Sequence, residues 1–274
     1  LPYLGELYGN PSSMHTFGGQ VGKKIQQARQ RVADFINADP DEIVFTSCGT
    51  ESDNAAINAA INAFPDKKHI ITSNVEHPAI NNLYKHLQKT KGYEVTFVPV
   101  DEKGFLDLDL LYKSMSDNTA IVSLMWANNE TGVLFPIEEI AKKANEKGIL
   151  FHTDAVQAAG KIPIDVKKTG VDMLSLSGHK IHAPKGIGVL YVKKGFKFSP
   201  LLIGGHQEKG RRGGTENTVS IIGLGKACEL AKANLPIMDT RVRELRDYLQ
   251  TQLLEKIPGS SVNGDLEQRL PSTL

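Results

Sequence analysis

A chain of 274 residues can bury one large hydrophobic core and begin a second one. Its 32 basic and 31 acidic residues give a net charge of +1, so the charge balance argues against a nucleic-acid partner and against binding to a membrane. The mean hydropathy is negative and every apolar run is shorter than the ~18 residues of a membrane span, so neither a span nor a secretory signal is expected. The two cysteines, Cys48 and Cys228, form neither a CxxC pair nor a metal-ligand pattern, which predicts reduced thiols, no metal site and a cytoplasmic location.

The first part of the chain alternates loop, helix and strand signals. Turn-forming residues predict a loop over 8–18, and apolar residues at helical spacing predict a helix over 21–37. Short apolar runs predict buried strands at 42–46 and 69–73. Between these strands, T-S-C-G-T-E-S-D-N predicts a strand end, a turn with glycine and the start of a helix.

That helix start is a candidate phosphate site, because free backbone N–H groups and a partial positive charge suit an anion. Gly49 would allow close backbone approach, and Thr50 would offer its amide and hydroxyl. Alternatively, Thr50 with Glu51 and Asp53 only caps the helix. Taken alone, the motif favours the cap, and the polar residues near residue 180 shift the interpretation to the phosphate. Cys48 is expected to be a small packed residue.

The middle of the chain continues the alternation. Helical patterns at 81–90 and 136–147 alternate with strand patterns at 94–100 and 120–125. The V-E-H-P-A run places His77 in a loop, where a lone histidine is usually structural. The W-A-N-N-E-T-G run places Asn129 after a strand. There it is either an ordinary turn-forming residue or an amide that donates hydrogen bonds to a ligand.

Polar residues follow two further predicted strands, 148–152 and 171–176. They are Asp154, Gln157, Ser177, His179 and Lys180. In an open α/β sheet, ligands bind at the edge formed by the carboxyl ends of the strands. An acid and an amine at this edge suit pyridoxal 5′-phosphate, since the lysine forms a Schiff base and the aspartate keeps the pyridinium nitrogen protonated. A surface salt bridge is the alternative for such a pair.

The last part of the chain predicts an antiparallel strand in P-K-G-I-G-V-L-Y-V, then a Gly-rich basic loop, then two helices. The first helix, 219–234, should direct Ile222, Leu224 and Leu230 inward and close a large domain of residues 1–236. The second, 237–257, should begin a smaller α+β domain over 237–274. Strand and helix alternation from 42 to 192 is typical of a mostly parallel sheet covered on both faces.

Several strings, in one order, resemble the motifs of the cysteine desulfurases, and most closely their nitrogen-fixation (NifS-like) branch. They are H-T-D-A-V-Q, M-W-A-N-N-E-T-G, S-G-H-K-I-H-A-P-K-G and G-G-H-Q-E-K-G-R-R. The resemblance extends from residue 8 to about residue 225. It implies the α/β fold type I of pyridoxal phosphate-dependent transferases, with pyridoxal 5′-phosphate as cofactor.

The resemblance also implies roles for the residues near the cofactor ring. Lys180 would form the Schiff base and, once the substrate amine displaces it, remove the Cα proton. Asp154 would bind the ring nitrogen, and His77 would stack over the ring and assist proton transfer. Gln157 would hydrogen-bond the phenolic oxygen O3′, and Asn129 would approach both O3′ and the substrate carboxylate.

The remaining implied contacts are to the phosphate group. Within one subunit they involve Gly49, Thr50, Ser177 and His179. Thr215, in the Gly-rich basic loop, would cross a homodimer interface and reach the phosphate held by the neighbouring subunit. A homodimer would therefore be part of the site.

The implied reaction converts L-cysteine to L-alanine and leaves a persulfide on a mobile-loop cysteine, which delivers sulfur to an iron-sulfur scaffold protein, for nitrogenase or for general clusters. In the family that cysteine and the arginine that binds the substrate carboxylate occur in a later portion, and neither Cys48 nor Cys228 matches; Cys228 is expected to pack in the core. The chain begins L-P-Y-L-G-E without methionine and ends R-L-P-S-T-L, so we expect a fragment that binds cofactor and releases no sulfide alone.

Three alternatives remain. A selenocysteine lyase or an aminotransferase of the same fold would use the same aspartate and lysine. A non-catalytic protein of an iron-sulfur assembly system would keep the fold without the chemistry. Lys180 argues against this last reading, because a buried amine without a chemical role is costly.

Overall fold

The computed structural model describes residues 2–274, in which seven strands and eight α-helices alternate over most of the chain. The strands are β1 (Ile43–Thr46), β2 (His69–Ser73), β3 (Glu94–Val98), β4 (Thr119–Met125), β5 (Leu150–Asp154), β6 (Met173–Ser177) and β7 (Gly188–Val192). The helices are α1 (Thr16–Ile36), α2 (Gly49–Ala63), α3 (Pro78–Lys91), α4 (Leu108–Ser114), α5 (Ile137–Glu146), α6 (Val166–Thr169), α7 (Thr218–Ile237) and α8 (Arg243–Lys256). None of the helices within residues 2–274 combines the length and apolarity needed to cross a bilayer.

All seven strands form one sheet in the order β1-β7-β6-β5-β4-β2-β3. The pairs β2/β3, β2/β4, β4/β5 and β5/β6 are parallel, whereas β7 is antiparallel to both β6 and β1. The predicted mostly parallel sheet and the predicted antiparallel strand after residue 184 are confirmed. Because β4, β5 and β6 run side by side in one direction, their carboxyl ends meet at one edge.

The central strands are buried on both faces, which explains their continuous apolar sequences. One apolar cluster joins α1, α5 and α7 to one face, with Val32 and Phe151 among its members. A second cluster joins α2 and α3 to the other face, with Ile57 and Tyr84 among its members. Helices therefore cover both faces, as predicted.

The last two helices form a continuous run. A π-helical turn, Met238–Val242, joins α7 to α8, whereas the sequence predicts a break near residue 236. Pro236 lies inside α7, and the Met238 amide donates to both Asn234 O and Leu235 O. Pro236 has no N–H to donate within the helix, and the π-type turn that follows it allows the helix to continue without a break.

The predicted inward face of α7 is partly wrong. Leu224 is buried, but Leu230 is 49% exposed. The buried face is set by the close approach of α1 to Gly225, where an added Cβ would lie 2.7 Å from Ala28. Residues at 224 and 228 share that face, and position 230 is turned away from it by the helical period.

A buried ion pair joins α1, β1 and the Gly-rich basic loop. The Arg29 guanidinium donates from Nη1 to Glu208 Oε2 at 2.8 Å and from Nη2 to Oε1 at 2.6 Å. Arg29 Nη1 also donates to Ile43 O, and Glu208 Oε2 accepts from the Phe45 amide at 3.0 Å. Both charged side chains are buried, so each depends on the other for compensation of its lost hydration.

We expect Glu208→Gln to lower the free energy of unfolding by about 3–5 kcal/mol, because it leaves the Arg29 charge buried without a counter-ion. Urea denaturation followed by circular dichroism measures the loss. The control is Asp41→Asn, which breaks the exposed Asp41–Lys209 pair and should change stability little. Equal losses in the two variants would contradict this account of the buried pair.

Candidate active site

A cavity of about 500 Å³ lies at the carboxyl edge of β4, β5 and β6 and at the start of α2. Its size is in the ~300–1,000 Å³ range of small-molecule sites. Nine of the ten predicted site residues line it: Gly49, Thr50, His77, Asn129, Asp154, Gln157, Ser177, His179 and Lys180. Thr215 is exposed and lies outside the cavity lining. The carboxyl ends of the parallel strands meet at one edge of the sheet. Residues as far apart in sequence as 49 and 180, a separation of 131 positions, therefore line one cavity.

The start of α2 reaches the cavity through a close glycine contact. An added Cβ on Gly49 would lie 3.0 Å from Val156 Cγ2 and 3.4 Å from Ser177 Cβ. The N-cap residue, Cys48, is extended and makes no side-chain capping bond within the described chain. The first-turn amides of α2 are therefore available to an anion beside Ser177.

A short 3-10 turn, Gly178–Ile181, follows β6 and carries His179 and Lys180. Gly178 is required here because a Cβ would lie 2.7 Å from Ile187 Cγ2. His179 and Lys180 are exposed, so the expectation of a buried amine at Lys180 is wrong. The tight turn at the sheet edge directs Lys180 to the boundary of two cavities instead of into the core.

Asp154 ends β5, in the middle of the sheet, and its side chain is almost fully buried at 8% exposure. Asp154 Oδ1 accepts from the Val156 amide at 2.9 Å. Burial raises the pKa of Asp154, while the Val156 N–H, His77 and Lys180 act in the opposite direction. A cationic group bound in the cavity would oppose this rise in the pKa of Asp154 and favour the carboxylate.

Three other predicted residues already have defined hydrogen bonds. His77 caps α3 by accepting from the Ala79 amide at Nδ1, so the neutral ring carries its proton on Nε2. Asn129 Nδ2 donates to Glu130 Oε1 at 2.6 Å. Gln157 Oε1 accepts from Lys161 Nζ at 2.7 Å. Each of these side chains therefore has a fixed orientation at the cavity wall.

Asp53 is a cavity residue whose role the sequence did not predict. The residue is 1% exposed, and its Oδ1 has no hydrogen-bond partner within residues 2–274, so capping is the wrong interpretation for it. Burial raises its pKa well above the ordinary value, and the charge of Asp154 adds to this. Helical periodicity could have revealed it, because Asp53 shares the face of Ala56 and Ala60, both fully buried.

Glu51, by contrast, does stabilise the start of α2. Its carboxylate accepts from the Ser47 amide at 2.7 Å and from the Arg212 guanidinium at 2.9 Å. The second contact ties the helix start to the Gly-rich basic loop.

Beneath Asp154 lies a buried polar group of side chains that we call the polar floor. It consists of Asp53, Glu76, Ser123, His152 and Ser175. His152 lies 2.8 Å from Ser123 Oγ through Nδ1 and 2.9 Å from Ser175 Oγ through Nε2. Burial lowers the pKa of His152 to about 3, so its ring is neutral at physiological pH.

Glu76 occupies the same floor from the loop after β2. Its Oε1 accepts from Ser73 Oγ at 2.7 Å and from the Met125 amide at 2.9 Å. Burial raises the pKa of Glu76 to about 8 despite these hydrogen bonds. No sequence pattern indicates a role for this residue, because its burial depends on contact with the distant strand β4.

Glu76 should make the ligand-free protein less stable as pH rises from about 5 to about 8. Between its ordinary pKa of 4.5 and its folded value of about 8, the folded chain keeps a proton that the unfolded chain releases. The folded state then binds more protons, so the free energy of unfolding falls with rising pH. Glu76→Gln should flatten this fall in urea titrations at pH 5, 6, 7 and 8, and profiles that stay parallel would show that Glu76 does not cause it.

The two thiols should differ in reactivity. Cys228 is fully buried, as predicted, and burial raises its pKa to about 12. Cys48 is half-buried and lines the cavity, so the expectation of a packed residue is wrong for it. Iodoacetamide should therefore label Cys48 in the native protein and Cys228 only after unfolding, as read by peptide mass spectrometry. Labelling of both thiols at similar rates would contradict this structure of the cavity.

Comparison with known proteins identifies the family. The family model described as "Aminotransferase class-V" matches residues 1–274. A protein named cysteine desulfurase, from Nostoc sp., is 60% identical over 273 residues, which are 100% of this chain and 68% of that protein. The cysteine desulfurase NifS of Azotobacter vinelandii is 55% identical over 274 residues, again 100% of this chain and 68% of that protein.

A solved structure described as a NifS-like protein matches with a TM-score of 0.94 at 39% identity, over 98% of this chain and 74% of that one. The predicted resemblance and the predicted type I fold are confirmed. The chain belongs to the class-V aminotransferase family, and within it to the pyridoxal phosphate-dependent cysteine desulfurases.

Proposed function

We propose that the protein is a cysteine desulfurase that uses pyridoxal 5′-phosphate to convert L-cysteine to L-alanine. The observation that carries the proposal is that Asp154, at the end of β5, and Lys180, in the turn after the neighbouring parallel strand β6, line one cavity together with the start of α2. To bind pyridoxal 5′-phosphate, a site needs an acid at the ring nitrogen, an amine that condenses with the aldehyde and free backbone amides at the phosphate group. All three are available around this cavity.

The cavity fits the cofactor in its detailed chemistry as well. Gly49 lets the start of α2 pack closely on Val156 and Ser177, which would bring its free amides and the Ser177 hydroxyl to one phosphate group. Thr50, Ser177 and His179 would supply further donors to that phosphate. Asp154 would hold the ring nitrogen, and the ring's positive charge would offset the cost of the buried carboxylate.

Bound pyridoxal phosphate supplies an electron sink for the charge that develops at the substrate Cα. The chain's own residues then provide proton transfer and orientation. Lys180, an exposed residue at the cavity wall, takes the Cα proton. His77, which carries its neutral-state proton on Nε2, assists proton transfer from the start of α3. Asn129 and Gln157 hold the phenolic oxygen, and Asn129 also orients the substrate carboxylate.

The protein's partners are also part of the proposal. Thr215 lies outside the cavity, in a loop that exposes Ile203 at 89%, and such a loop suits contact with a second subunit. A homodimer would place Thr215 at the partner's phosphate group. The sulfur would leave L-cysteine as the outer sulfur of an enzyme cysteine persulfide, formed by attack of a cysteine thiolate on the substrate sulfur. An iron-sulfur scaffold protein would then accept the sulfur from that persulfide. A cytoplasmic location stays a prediction.

We further propose the predicted division into a large domain, 1–236, and the beginning of a smaller one, 237–274. Among the described residues, all seven strands and all the buried apolar side chains except Leu270 and Pro271 precede residue 237. The continuous helix across residue 237 would join the two domains.

The test is attachment of the cofactor at Lys180. After incubation with pyridoxal phosphate and borohydride reduction, peptide mass spectrometry should find the cofactor on the peptide that contains Lys180. Lys180→Ala should abolish this adduct and the absorbance of bound cofactor, whereas Lys197→Ala, at an exposed lysine outside the cavity, should leave both unchanged. An adduct on other lysines, or an absorbance that persists in Lys180→Ala, would mean adventitious binding elsewhere.

A further inference from the structure

A second lysine, Lys161, holds the side chain of Gln157. Gln157 lines the candidate site, and Lys161 lines the adjoining cavity, which also includes Lys180. The chain after β5 forms a helical turn in which the Ala159 amide donates to Ala155 O and the Lys161 amide donates to Ala158 O. Gln157 and Lys161 therefore lie one turn apart, and Lys161 Nζ donates to Gln157 Oε1 at 2.7 Å.

The setting of Lys161 is unusual for a lysine. The residue is half-buried, and no carboxylate of residues 2–274 lies within ion-pair distance of its ammonium. Burial lowers its pKa, and the nearby charge of Lys180 lowers it further. A partly desolvated cation beside a second cation carries a cost that packing alone does not explain.

The chemistry of the contact fixes the orientation of the amide. A lysine ammonium has three donors and no acceptor, so the amide atom that faces it must be the oxygen of Gln157. The Nε2 group, with its two N–H donors, is then the part of the amide left for the cavity. An ionised phenolic oxygen only accepts hydrogen bonds, so it needs this orientation and is repelled by the flipped one.

We propose that Lys161 is a positioning residue that locks the Gln157 amide with its Nε2 donor available to the phenolic oxygen of pyridoxal phosphate. The inference rests on the proposed function, because it takes that cofactor as the occupant of the cavity. Lys161 acts through Gln157 and need not touch the cofactor.

A double-mutant cycle on cofactor affinity tests this. Dissociation constants for pyridoxal phosphate are measured by absorbance titration of the wild type, Lys161→Met, Gln157→Ala and the double variant. Each single variant should weaken binding about tenfold, the size expected for one charge-assisted hydrogen bond. The double variant should be no weaker than Gln157→Ala, because Lys161 has no effect once the amide is gone. Lys161→Arg, which keeps the donors, should bind within about threefold of the wild type.

The absorbance spectrum of the bound cofactor gives a second test, because a purely structural role of Lys161 would leave this spectrum unchanged. The absorbance maximum of the bound cofactor should shift in the same direction in Lys161→Met and Gln157→Ala. An unchanged affinity and spectrum in Lys161→Met would overturn the inference, and so would losses that multiply to about a hundredfold in the double variant.

Folding is checked by thermal unfolding of each ligand-free variant, and Lys161→Ala replaces Lys161→Met in the cycle if the latter does not fold. Failure of the wild type to attach cofactor at Lys180 would overturn the proposed function itself. Normal attachment in the wild type with normal binding by the Lys161 variant would overturn only this inference.

Discussion

Parallel pairing of β5 with β6 is the constraint on which the site depends. The register places His152 opposite Met173 and Asp154 opposite Ser175, so both strands end at one edge of the sheet. The acid emerges from the end of one strand and the amine from the tight turn after the other. Because β7 then returns antiparallel along β6, the turn that carries Lys180 is anchored on both sides. A change of register in this pair would separate the two groups whatever their sequence neighbours.

The electrostatics of the site follow from its depth. Asp53, Glu76 and Asp154 are all buried, and burial raises the pKa of each. Three carboxylates cannot all be ionised in so small a volume. The neutral His152 adds no compensating charge. A carboxylate is favoured at Asp154 only by positive charge from the cavity side, where Lys180 lies and where a cationic ring would be bound.

The sequence predicted the sheet well because buried parallel strands are short apolar runs with clear ends. It also placed Asp154 and Lys180 at one edge, since the carboxyl ends of parallel strands meet there. Two of the features that it missed depend on a neighbour distant in sequence. Leu230 is exposed because α1 selects the other face of α7, and Glu76 is buried because it meets Met125 from another strand. The burial of Asp53 could have been predicted from the sequence, because Ala56 and Ala60 on the same face of the helix are apolar.

The π-helical turn between α7 and α8 has a geometric consequence for the end of the chain. An α-helix turns by about 100° per residue, and a wider turn changes the direction in which every later side chain projects. The apolar face of α7 that packs on α1 is therefore not continued along α8. Leu249 and Leu253 of α8 project in a different direction around the helix axis and are accessible to solvent in this single chain. Deletion of one residue from the wide turn would rotate Leu249 and Leu253 about the helix axis, so that they would face a different part of the protein.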